Sequence, residues 1–198
     1  GTNGLKVDIP RIINYIDKEI MKGDIAEAKL FNPDFIIANM HWGLEYERIP
    51  SREQRELADW LLRQGVDLVI GSHPHVVQPM ELRRGKEGVT DRLVVYSLGN
   101  FISNMSREHT DGGVMVKVVL GRKGLRRYIV SAQYSLIYSS RYKNEQGKED
   151  IRVVPAASWL GKNQNSSFSV DSALIKYVNN TRLFLKGNNK EVEEYIFE

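Results

Sequence analysis

An α/β fold is predicted from three observations. Two short apolar runs, Phe35-Ile36-Ile37-Ala38-Asn39-Met40 and Val66-Asp67-Leu68-Val69-Ile70, have the length and composition of buried strands. Between them Leu57, Ala58, Leu61 and Leu62 make the apolar stripe of an amphipathic helix. Strand, helix and strand at this spacing form one βαβ unit, so the two strands are expected to be parallel neighbours. Farther on, Tyr128, Val130, Ala132 and Tyr134 alternate with more polar residues, as along an antiparallel strand.

The individual elements follow from local signals. Residues 5–16 are mixed, and Pro10 argues against a continuous helix there. Asp24 with Glu27 reads as a capping box for a short helix from Ile25 to Phe31, which Asn32-Pro33 stops. Asp34 to Met40 is the first strand. Ser51 is the N-cap of the next helix, with Gln54 at its third position and Gly65 as its C-terminal cap. Asp67 to Gly71 is the second strand. A polar loop through Arg83-Arg84-Gly85-Lys86-Glu87-Gly88 leads to a third, Arg92 to Ser97.

Gly113 to Leu120 and Arg127 to Tyr138 are expected to pair antiparallel about a turn at Gly121-Arg122-Lys123-Gly124. Arg141 to Asp150 reads as a loop. Val170 to Leu185 reads as a helix, with Asp171 near its start and Gly187 after its end. Asn188 to Glu198 reads as an acidic, mobile tail. With 198 residues and neither repeat nor linker, one domain is expected over 1–198.

Composition excludes some chemistry. There is no cysteine, so disulfides, thiol catalysis and cysteine-ligated zinc are ruled out. A net charge of +3 permits an anionic partner. The basic residues sit in turns without a nucleic-acid motif, so no nucleic acid is expected. No apolar run approaches the roughly 20 residues of a membrane span, and no targeting segment is visible.

The chemistry-bearing residues fall at strand ends. Gly71-Ser72-His73-Pro74-His75 follows the second strand, and His41 ends the first. In extended backbone, positions two apart point to one side, so His73 and His75 can converge on an ion. Pro74 restricts the chain between them. Parallel strands share their C-terminal edge, which brings His41 close to the pair. The alternative is ordinary loop histidines. Glu45 offers a ligand or general base, and Gly43 lets backbone approach a ligand. Trp42 and Tyr46 offer aromatic contacts to a substrate, or a simple lid. Ser97 and Asn100, in Tyr96-Ser97-Leu98-Gly99-Asn100-Phe101, can face the same crevice or merely form a tight turn. Ser97 lacks the Gly-x-Ser-x-Gly setting of a hydrolase nucleophile.

The segments HWGLEY, LADWLLRQGVDLVIGSHPHVVQPMEL and VVYSLGNFI, in this order, resemble the CapA-type capsule-biosynthesis proteins of the poly-γ-glutamate capsule family. The resemblance runs from about Thr2 to Phe101 and is weaker over the closing sheet and C-terminal helix at 113–187. It implies a calcineurin-like metallophosphoesterase fold, a β-sandwich flanked by helices. Gly71-Ser72-His73-Pro74-His75 is similar to that superfamily's Gly-His-x-His motif with Ser72 inserted, and His41 to its earlier strand-end histidine. His41, His73 and His75 are then the expected metal ligands, Glu45 and Asn100 catalytic residues, and Trp42, Tyr46 and Ser97 substrate contacts.

The implied cofactor is a divalent transition metal, Mn, Fe or Zn, in the intact protein. The family's Gly-Asp motif and further acidic residues have no counterpart here, so the chain corresponds to the C-terminal half of the domain, with the N-terminal half missing. Glu45, Asp67 and Glu81 are the nearest acids for the absent bridging carboxylate. The implied function is capsule biosynthesis, of poly-γ-glutamate or an exopolysaccharide, by a metal-dependent hydrolase or transferase that is incomplete in this chain. The alternative is a non-catalytic surface component binding or exporting an anionic polymer. Expected partners are that polymer or capsule-assembly proteins, and a second copy or the missing half covering an exposed apolar face. The expected location is extracytoplasmic, at the cell surface or membrane.

Overall fold

The computed structural model describes residues 14–86, 91–163 and 172–196. In chain order the elements are α1 (Lys18–Leu30), β1 (Ile37–His41), α2 (Arg52–Gln64), β2 (Leu68–Ser72), β3 (Met80–Arg83), β4 (Arg92–Val95), β5 (Gly112–Lys123), β6 (Arg126–Lys143), β7 (Glu149–Pro155), α3 (Ala156–Asn163), α4 (Ser172–Asn188) and β8 (Glu193–Glu194). The first sheet has the order β1-β2-β4-β3, parallel except for β3. The second is antiparallel, β5-β6-β7, with β8 added parallel to β6.

Side-chain alternation explains why the sheets stack. Along β4, Leu93 and Val95 enter one core while Val94 and the following Tyr96 enter another. The first core lies between the sheets and is completed by Ile129, Ala132, Tyr134, Leu136 and Tyr138 of β6, and by Leu174, Tyr177, Val178 and Leu185 of α4. The second lies between β1, β2, β4 and the helices α1 and α2, with Leu57, Ala58 and Leu61 buried. Each fully buried aliphatic side chain contributes about 1.5–3 kcal/mol. The molecule is the expected mixed α/β sandwich with helices, consistent with part of a calcineurin-like domain. Among the described residues, the side chains that the two sheets turn toward each other are buried in this first core. The outer edge of β1 borders a cavity of about 530 Å³, lined by α1, β1 and Asn14 to Ile16.

The expected helix around α2 forms as its caps dictate. Ser51 Oγ accepts from Gln54 N–H, Gln54 Oε1 accepts from Ser51 N–H, and Gly65 closes the helix at φ 100°. The strands β1 and β2 are parallel neighbours, with His41 level with Ser72.

Several expectations need correction. α1 starts at Asp17, not Asp24, because Asp17 Oδ1 accepts from the backbone of Glu19 and Ile20. Its polar composition hides its first turns. β3 was not foreseen: only its last residue, Arg83, falls in the expected loop, and Met80, Glu81 and Leu82 are buried against β4. The turn of the long hairpin is Gly124-Leu125, since Gly121 already pairs with Tyr128. The expected loop at Arg141–Asp150 is instead the end of β6, a turn, and the start of β7, held by Asn144 Oδ1 accepting from Gln146 and Lys148. α3 was not foreseen. Gly187 lies inside α4.

The tail is docked rather than mobile through Glu194. Lys190 pairs with β3, Val192 is buried, and Arg182 binds Glu194 through two hydrogen bonds. Most of the mixed segment 5–16, Glu87-Gly88 and the helix start at Val170–Asp171 lie outside the described residues. Among the described residues no helix is long and apolar enough to cross a membrane.

Candidate metal centre

The loops following β1 and β2 are tied together by backbone bonds. Trp42 N–H donates to Ser72 O at 3.1 Å, and Tyr46 N–H donates to Pro74 O at 2.8 Å. Gln78 Nε2 donates to Glu47 O at 2.8 Å and to the α2 residue Gln54. The Gln54 side chain fills the space beside Gly43, where a Cβ would strike it. Gly43 therefore serves packing against Gln54 rather than the expected approach of a ligand.

These ties bring Glu45, His73 and His75 together. One ligand atom from each lies within 4.8 Å of the others. The His73 and His75 rings have centroids 6.1 Å apart, and the His41 ring is 4.5 Å from that of His73. His41 thus flanks the mutually close set. The convergence does not come from extended backbone, as the sequence suggested. His73 and His75 adopt φ 101° and 61° on either side of buried Pro74, and Tyr46 adopts 68°. Such conformations cost about 1–3 kcal/mol each in non-glycine residues and cluster at functional sites.

Asn100 fixes the tautomer of His75. Its Nδ2 donates to Thr110 O at 2.9 Å, so Oδ1 faces His75 Nδ1 at 2.9 Å. Oδ1 is an acceptor only, which places the His75 proton on Nδ1 and the lone pair on Nε2. This places Asn100 behind His75, not at a reacting atom. His73 Nδ1 is buried with no hydrogen-bond partner among the described residues, a state that calls for an ion, a water or a functional role. Burial, reinforced by the neighbouring imidazoles, holds His41 below the ordinary histidine pKa. Burial also lowers His73, against the pull of Glu45. Both are then neutral near pH 7, the form that donates to a metal. Two imidazoles and a carboxylate suit Mn, Fe or Zn, so the residues present fit such an ion.

Other expected site residues lie elsewhere. Trp42 is a core residue, 4% exposed, whose Nε1 donates to Tyr96 O at 2.8 Å. The bare backbone of Gly71 opens the slot it fills, since a Cβ there would collide with the indole and that carbonyl. Ser97 is fully buried and its Oγ accepts from Gly99 N–H in the turn. Neither is placed to touch a substrate. Asp67 is at the opposite end of β2, bound to Arg92 and to Ile36 N–H. Glu81 is held by Arg83 and Lys190. Of the three acids considered, only Glu45 reaches the histidines. Tyr46 does face the site, its ring stacked on His75 with centroids 6.1 Å apart. Sequence reasoning missed Thr110 and Arg107, which sit in a polar loop without a motif.

Comparison with known proteins covers this same region. Residues 2–105 match the family described as bacterial capsule synthesis protein PGA_cap. The chain is 35% identical over 115 residues to the PGA biosynthesis protein CapA of Bacillus subtilis (strain 168), covering 58% of this chain and 28% of that protein. It is 35% identical over 107 residues to the capsule biosynthesis protein CapA of Bacillus anthracis, covering 54% of this chain and 24% of that protein. The matched segments span about a quarter of the length of these curated relatives. Because the family match takes in more than half of the residues and runs through the loops bearing His41, His73, His75 and Asn100, the chain belongs to the bacterial capsule synthesis protein PGA_cap family.

Proposed function

We propose that Glu45, His73 and His75, with His41 beside them, hold a divalent transition metal and that the protein uses it to hydrolyse or transfer a phosphoester or related bond in capsule-polymer synthesis. One observation carries this reading: the three donors converge within 4.8 Å around half-buried histidines held at positive φ. A bound ion would supply Lewis-acid polarisation of the scissile bond and acidification of water.

The chain's own residues prepare the site. Asn100 keeps the His75 proton on Nδ1, burial keeps His73 neutral, and the Tyr46 and Pro74 backbones lock Glu45 beside both rings. Glu45 is assigned here as the third donor. A capsule component of this kind works outside the cytoplasm, at the cell surface.

Asn100→Ala is expected to weaken metal binding by about 10–100-fold, the usual effect of losing the partner that orients a ligating histidine. Isothermal titration with Mn²⁺ or Zn²⁺ reads this directly.

For the activity itself, metal-stripped protein is reloaded with Mn²⁺, Fe²⁺ or Zn²⁺ and offered a chromogenic phosphodiester. Turnover that requires metal and falls in Glu45→Gln supports the proposal. No turnover with any metal counts against it. Salt-sensitive retention of an anionic polymer that survives His73→Ala and His75→Ala would establish the non-catalytic reading instead.

A further inference from the structure

The loop after Asn100 carries a cation with no assigned task. The Arg107 guanidinium lies over the Tyr46 ring, 4.0 Å from its centroid. Tyr46 in turn stacks on His75. Arg107 is therefore one ring removed from the proposed metal centre. It lies just beyond the segment that matches the family.

Its position is built rather than incidental. Arg107 O accepts from both the N–H and the Oγ1 of Thr110, at 3.1 and 2.6 Å. Thr110 O accepts from Asn100 Nδ2, and Asn100 Oδ1 meets His75. Arg141 Nη2 donates to the carbonyls of Asn104 and Met105, fastening the middle of the loop. A continuous set of hydrogen bonds thus fixes the Arg107 backbone relative to His75.

The side chain is exposed, and among the described residues no carboxylate pairs with it. The contact with the Tyr46 ring holds the guanidinium in place, and among the described residues the N–H groups of its fork donate no hydrogen bond. A planar fork of this kind recognises phosphate or carboxylate by paired hydrogen bonds.

We infer that Arg107, held on Tyr46, is the specificity residue that binds an oxyanion of the substrate next to Glu45, His73 and His75. This rests on the reading of that cluster as the functional site. The group recognised is a phosphate or a carboxylate. Tyr46 and the Asn100–Thr110 link are positioning elements for it.

The experiment is an NMR titration of the protein with inorganic phosphate and, separately, with glutarate, following the Arg Nε–H signals. Wild type, Arg107→Ala, Arg107→Lys and Tyr46→Leu are compared, and metal content is read independently by elemental analysis. In wild type the Arg107 Nε–H is expected to shift with one of the two anions, which identifies the recognised group. Arg107→Ala is expected to weaken that anion at least about tenfold, the loss of charge-assisted hydrogen bonds. Arg107→Lys is expected to recover only part of it, because a point charge lacks the fork. Tyr46→Leu is expected to weaken it with the arginine intact.

Unchanged affinity for both anions in Arg107→Ala overturns the assignment, whatever the metal content. Loss of anion binding in that variant supports it even if the protein binds no metal, a result that would sink the metal proposal alone.

Discussion

Replacing both His73 and His75 by alanine is expected to lower divalent-metal affinity by more than about 100-fold. The figure follows from what remains. Loss of a residue that merely orients a ligand costs about 10–100-fold, and this variant loses two ligands outright. Glu45, an exposed carboxylate, is all that is left of the close set, with His41 to one side.

Thermal unfolding gives a second view of the same event. A ligand present at 100 times its Kd stabilises the native state by about 2.7 kcal/mol. For a chain of this size that is a rise of about 5–10 °C in Tm. Wild type is expected to show such a rise with Mn²⁺ or Zn²⁺. The double variant is expected to show none, while its metal-free Tm stays within a few degrees of wild type. The last comparison separates loss of ligands from loss of fold.

The second large effect is on stability and lies far from the histidines. Asp91→Ala is expected to destabilise the protein by about 1–3 kcal/mol through the buried Ile129 N–H alone. Asp91 Oδ2 accepts from that N–H at 3.1 Å, while Oδ1 accepts from Gly85 N–H at 2.9 Å. Arg84 completes the clamp, donating to Asp91 Oδ2 at 3.1 Å and to Ile129 O at 2.7 Å. The first sheet is thereby fastened to β6 beside the irregularity at Val119/Leu120.

Burial tends to raise the Asp91 pKa. The two backbone N–H groups and Arg84 outweigh it and leave the carboxyl below its ordinary value. The unfolded carboxyl thus binds its proton more readily than the folded one. The contribution is fully present above about pH 3.9 and is lost as pH falls through the lower folded value. Denaturant unfolding of wild type and Asp91→Ala across this acid range reads the difference. It is expected to shrink toward acid. Glu56→Ala, which breaks only the exposed pair with Arg52, is expected to leave the midpoint unchanged.

How much of this was legible in the sequence depended on where the physical cause resides. The α2 caps are local, with Ser51 and Gln54 three residues apart and Gly65 just past the last turn, and were readable from those residues. The gathering of His41, His73 and His75 was readable because parallel strands share an edge, although the turn geometry that converges the last two was not. Trp42 was misjudged because its fate depends on Gly71, one strand away in space, and on the Tyr96 carbonyl, two strands away, both far off in sequence. Ser97 was misjudged because the carbonyl end of β4 turns its hydroxyl inward onto Gly99 N–H. β3 was hidden by its length of four residues and its flanking Pro79, and the start of β7 by its exposure and polarity. Arg107 gave no signal, since its role arises from stacking on Tyr46 across 61 residues of chain.

Metal ligation by His73 and His75 is open to direct measurement. X-ray absorption at the zinc edge, on protein loaded with one equivalent of Zn²⁺, addresses it most directly. The expected spectrum shows nitrogen and oxygen neighbours at about 2.0–2.1 Å, with the outer-shell scattering of two imidazoles. That scattering should vanish in the double alanine variant. A zinc environment of oxygen alone, or an imidazole signal that persists without His73 and His75, would contradict it.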